Sequence, residues 1–125
     1  MSRKTSGSSM VRIISGSSVV LSLHSPREKI WGILVSIEQS GVQICGVDIN
    51  TFDDWLNSVT NGESNIGLTN SFLPMWRVER ISLDETIGDI LSLEEQFALR
   101  VGITLTEYLK GAKDGYVSST ENWRQ

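Results

Sequence analysis

The residues with catalytic potential are few: one histidine, His24, one cysteine, Cys45, and scattered carboxylates. A thiol within hydrogen-bond reach of an imidazole makes a nucleophile and base pair, and strands carrying His24 and Cys45 approach each other if the chain closes into a barrel. A Cys inside Ile44-Cys45-Gly46-Val47 nevertheless reads as an inert core thiol, and no neighbour supplies a third member to orient the ring. The run Asp48-Ile49-Asn50-Thr51-Phe52-Asp53-Asp54 opens like a calcium loop, with oxygen ligands at its first and third positions. It then puts Phe52 at a ligand place and Asp53 where that loop needs Gly, so its carboxylates read as the start of a helix. Glu94 and Glu95 are read in the same way. With no glycine-rich phosphate cradle, metal cluster or acid-base pair, the expectation is a protein that is not an enzyme and needs no cofactor and no metal.

Binding chemistry is better represented. Trp31, Trp55 and Trp76 are conspicuous in a chain with three Phe and two Tyr. Buried indoles need a partner for the ring N–H, which places such residues in the core or at its edge. The exception is the stretch Phe72, Met75, Trp76 and Arg77, whose residue types are those enriched at the centre of protein interfaces. Arg80 follows in Arg77-Val78-Glu79-Arg80, and Arg27 with Lys29 makes a basic loop of Ser25-Pro26-Arg27-Glu28-Lys29. These seven residues, Phe72, Met75, Trp76, Arg77, Arg80, Arg27 and Lys29, are the candidate partner contacts.

The elements that must position them follow from length and pattern. A chain of 125 residues can bury roughly two thirds of its unfolded surface as one domain. A single Cys cannot form an internal disulfide, and no apolar run reaches the roughly 20 residues that span a bilayer, so a cytoplasmic protein without membrane insertion is expected. The formal net charge of −4 disfavours nucleic acid as a partner, although five of the basic residues fall in the first 30 positions beside Glu28 alone.

Three apolar, β-branched runs between residues 19 and 49 are separated by the turn signals Ser25-Pro26-Arg27 and Gln39-Ser40-Gly41, which predicts an antiparallel meander: Val19–His24, Lys29–Ile37 and Val42–Ile49. In the second strand Trp31, Ile33, Val35 and Ile37 share one wholly apolar face, with Gly32, Leu34 and Ser36 on the other. Gly32 and Gly46 mark where strands bend. A helix capped by Asn50 or Thr51 and ended by Asn61-Gly62 follows, then a fourth strand over 65–69 and, past Pro74, a final strand over Trp76–Leu83. Ser92 with Glu95, and Thr104 with Glu107, are capping boxes for two short helices stopped by Gly102 and Gly111. Residues 1–18 are expected to be a flexible tail, 19–110 a single domain and 111–125 a polar tail in which Tyr116, Val117 and Trp123 are the apolar exceptions.

Gly32-Ile33-Leu34, then Ile37-Glu38, then Val42 and Ile44, resembles the first signature of Sm-like barrels, G-x-L-x-x-(apolar)-D followed by an alternating strand. Met75-Trp76-Arg77-Val78-Glu79-Arg80-Ile81 is similar in placement to the closing strands of that family. The resemblance covers roughly residues 19–83 and implies a small, bent, five-stranded antiparallel barrel; with the helical insert, a departure from the family, and the two C-terminal helices read from the residues, the expected fold is mainly β (α+β). Sm-like proteins hold RNA bases partly through an Asn after the Asp, whereas here Val42 stands at that place, Glu38 replaces the Asp, and the R-G pair of the second signature is missing. The expected role is thus a binding or assembly module, a small subunit or adaptor that engages a protein partner or further copies of itself. The alternative is an RNA-binding protein that uses Arg27, Lys29, Arg77 and Arg80.

Overall fold

The computed structural model describes residues 12–63 and 66–111. The remainder of the two expected tails, including Tyr116, Val117 and Trp123, lies outside the described residues. Five strands form one antiparallel sheet: β1 (Ser18–Leu23), β2 (Glu28–Ile37), β3 (Gly41–Asp48), β4 (Thr69–Pro74) and β5 (Val78–Leu83). Three α-helices accompany it, α1 (Phe52–Thr60), α2 (Leu93–Val101) and α3 (105–111), so the chain is mixed α+β and mostly sheet. The chain divides into two compact units, one of residues 1–52 and 67–84, the other of 53–66 and 85–125.

In the first unit the strand order is β4-β3-β2-β1-β5. The expected closed barrel is not formed: β5 pairs with β1, and the sheet has β4 and β5 as its two edges. The sheet is nonetheless strongly curled, as its connections require. The end of β4 lies level with the end of β2, and the start of β5 lies level with the start of β2. On a flat sheet those points would be roughly 30 Å apart along the strands. Only Met75–Arg77, one turn of 3-10 helix, joins them, and four residue steps reach at most about 14 Å.

Gly32 and Gly46 sit opposite each other in the β2–β3 pair and let the sheet curl. A Cβ on Gly32 would strike the Cys45 carbonyl, and one on Gly46 would strike that of Trp31. A bulge at Val35 and a second opposite Ser22 and Leu23 add to the bend.

The concave face carries Val19, Leu21 and Leu23 of β1, Leu34 of β2, Val42 and Ile44 of β3, and Leu73 of β4, with Ile30, Met75, Val78, Ile81 and Leu83 packed against them. Leu34 is 1% exposed, whereas Val35 and Ile37, on the face that reads as wholly apolar, are 39% and 47% exposed. The bulge at Val35 breaks the alternation on which that reading depends. Trp31 is buried on the opposite face, edge-on to Phe52 with centroids 5.2 Å apart.

Two other expectations shift. The fourth strand is Thr69–Pro74 rather than 65–69, and Pro74 is accommodated because it ends an edge strand. The helix after β3 opens with a 3-10 turn, Ile49–Thr51, capped by the Asp48 carboxylate, which accepts from the Asn50 amide at 2.8 Å.

The second unit is built on rings. Trp55 of α1 stacks on Phe97 of α2 with centroids 5.2 Å apart, and Tyr108 of α3 meets both edge-on. Leu56 and Leu105 are buried there as well. Both capping boxes form: the Glu95 amide donates to Ser92 Oγ at 3.0 Å, and the Glu107 amide to Thr104 Oγ1 at 3.1 Å. Gly102 ends α2 at φ 93°, a left-handed conformation that favours glycine.

Candidate functional site

The turn between β4 and β5 decides where the candidate residues go. A 3-10 turn has three residues per revolution, so its consecutive side chains leave in three directions. Met75 turns inward and packs against the core of the first unit. Trp76 turns outward and is 64% exposed, its ring edge-on to His24 with centroids 6.4 Å apart. Arg77 turns back toward the β1–β2 connection.

Arg77 is engaged within the chain. Its Nε donates to the His24 carbonyl at 3.2 Å and its Nη2 to the Pro26 carbonyl at 2.8 Å. The same Nη2 lies 3.8 Å from Glu28 Oε2, and the His24 amide donates to the Arg77 carbonyl at 3.0 Å. Arg77 therefore holds the loop 24–28 against the turn that presents Trp76. Pairs of this kind fix geometry more than they add stability.

Arg27, Lys29 and Arg80 are exposed. Lys29 and Arg80 both pair with Ser22, one from β2 and the other from β5, so the three residues form a row across the sheet. Residues that pair across strands share a face, and alternation along β1 puts Ser22 and His24 opposite the core residues Leu21 and Leu23. The structure thus gathers Trp76, His24, Lys29, Ser22 and Arg80 at one end of the outer face. Phe72 is exposed on β4, where it pairs with Gln43 and faces away from Leu73. Reading the sequence for catalysis missed Ser22; its signal is a polar residue at an outward position of an otherwise apolar strand, between the core residues Leu21 and Leu23.

The outer face also carries a polar junction that closes the first unit. Trp31 Nε1 donates to Ser18 Oγ and to Asp84 Oδ2, each at 3.0 Å, and Ser18 Oγ donates to the same carboxylate oxygen at 2.9 Å. This supplies the partner that a buried indole requires.

The His24 and Cys45 pair is not assembled. Cys45 is level with Ile33 in the β2–β3 pair, while His24 lies beyond the start of β2, a separation along the strands of roughly 20 Å. Burial pushes the Cys45 thiol up from its ordinary value, which depletes the nucleophilic thiolate at neutral pH. Among the described residues no three His, Cys, Asp or Glu side chains converge as metal ligands would, and no helix is long and apolar enough to cross a membrane.

A further set of exposed apolar residues lies on the second unit: Ile87 and Ile90, joined by a β-bridge, with Leu91, Leu99 and Ile103. Comparison of the chain with family models, with curated proteins and with solved structures finds no match.

Proposed function

We propose that this protein is a non-enzymatic binding module, a small adaptor or complex subunit of the cytoplasm, that engages a protein partner through the surface around Trp76. The observation that carries the reading is the presentation of Trp76. A large aromatic side chain stands mostly in solvent on a turn held by the Arg77 hydrogen bonds to His24 and Pro26. A side chain displayed from a pre-set backbone loses little further entropy on binding, which is how aromatic anchors contribute disproportionately to affinity. The strand order and the short link between the edge strands support a curled, open version of the Sm-like barrel as the scaffold. Val42 and Glu38, at the places of the family's RNA contacts, support a protein rather than a nucleic-acid partner.

The test is recovery of the tagged protein from its own cells in two forms, unaltered and Trp76→Ser, with quantitative identification of what accompanies each. Trp76 makes no core contact, so the variant should melt at the temperature of the parent. A protein enriched with the parent and lost with Trp76→Ser is the expected result. Identical retinues for the two forms would refute the reading.

A further inference from the structure

We infer that Lys29, Ser22 and Arg80 form a site for one carboxylate, supplied by an acidic side chain of the protein that covers Trp76. The inference rests on the binding role proposed above and names the chemistry of the partner.

The geometry begins with register. Ser22 lies between Lys29 and Arg80 on adjacent strands, which sets the two basic residues two inter-strand spacings apart, roughly 10 Å between backbones. Both side chains are long and flexible enough for an anion bound above Ser22 to draw their charged ends over the central strand. Neither cation is paired: among the described residues the ion pair formed is that of Arg77 with Glu28. Two like charges brought together over one hydroxyl repel each other until an anion sits between them.

Ser22 adds an independent observation. The residue is 5% exposed overall, but its hydroxyl is not among the buried polar atoms that lack a partner, so the oxygen keeps contact with solvent between the two cations. An oxygen acceptor held by Lys29 and Arg80 would receive the Ser22 hydrogen bond.

The ligand's second feature follows from Trp76. His24, against whose ring Trp76 stands, is two residues beyond Ser22 on the same face, about 7 Å along the strand. An extended peptide with an acidic residue beside an apolar one spans that distance. Successive phosphates of a nucleic acid fit less well: the row offers two cations and no continuing basic track, Glu79 adjoins it, and the whole chain carries a formal charge of −4.

The experiment is an amide-resolved NMR titration of the full chain with a capped hexapeptide of alternating Asp and Leu. An Asn-Leu peptide, inorganic phosphate and a uridine hexanucleotide serve as comparisons. The inference expects saturable shifts at Ser22, Lys29 and Arg80 with the Asp peptide. Affinity should fall about tenfold or more with the Asn peptide, with Lys29→Gln/Arg80→Gln and at 0.5 M salt. Ser22→Ala tests the hydroxyl separately and should weaken binding several-fold while the melting temperature holds. Absence of shifts in this row, equal response to the Asn peptide, or tighter binding of the hexanucleotide would overturn it. Retention by Lys29→Gln/Arg80→Gln of a cellular partner that Trp76→Ser loses would also overturn the carboxylate site, while leaving the binding role intact.

Discussion

Trp31 and Asp84, 53 positions apart in the chain, meet at 3.0 Å, the indole Nε1 donating to the carboxylate Oδ2. The contact joins the middle of β2 to the residue that follows β5, across β1, and so ties the first strands of the meander to the last. Asp84→Ala would remove a charged acceptor from the buried indole N–H. We expect a loss of about 1–3 kcal/mol in unfolding free energy, with a smaller loss for Asp84→Asn, which keeps one accepting oxygen. Urea denaturation of the three forms measures it, and unchanged stability for Asp84→Ala would show that the junction is dispensable.

The facing pair Gly32 and Gly46 leaves no room for a Cβ on either strand. Gly46→Val should therefore destabilise by the upper part of the overpacking range, about 3 kcal/mol or more. Gly67, around which a Cβ meets nothing, should accept Ala with almost no change. Chemical denaturation compares the two, and a tolerated valine at 46 would show that the strands can part without cost.

Which face of β2 builds the core is tested by Leu34 and Ile37. Leu34→Ala should cost about 2–5 kcal/mol because the side chain is fully enclosed. Ile37→Ala should stay within about 1 kcal/mol. The reverse order would put the wholly apolar face inside after all.

Arg77→Ala removes the donors that hold residues 24–28. The expected result is faster hydrogen exchange at loop amides, led by His24, with a loss of about 1–2 kcal/mol overall. Loop exchange identical to the parent would mean that the turn stands without its clamp.

Cys45 should react slowly with a thiol reagent at pH 7, because burial raises its pKa and the thiolate is scarce. The sign follows directly: a raised folded-state value keeps the thiol protonated below it, so the rate should climb only above the ordinary thiol range, near 9. Urea should abolish the delay. Rapid labelling of the folded chain at neutral pH would restore a case for Cys45 as a nucleophile.

Local signals in the chain translate well into local structure. The turn at Ser25-Pro26, the two capping boxes, and the stops at Asn61-Gly62 and Gly102 act over four or five residues, and each forms where its residues stand. Gly32 and Gly46 are legible as bends, though not as a pair in register. The fourth strand was hidden because an edge strand with Phe72 in solvent shows no clean apolar alternation.

By itself, then, the sequence determined an antiparallel meander rich in β-branched residues and the start and stop of its helices. Tertiary structure alone decided which face of β2 turns inward, that β5 pairs with β1 while the sheet stays open, and that Lys29, Ser22 and Arg80 come to share a row. The reason is physical. Caps and turns are settled by atoms a few bonds apart, whereas register and curl depend on contacts between strands far apart in the chain. One bulge at Val35 is enough to break the periodicity from which a face would otherwise be read.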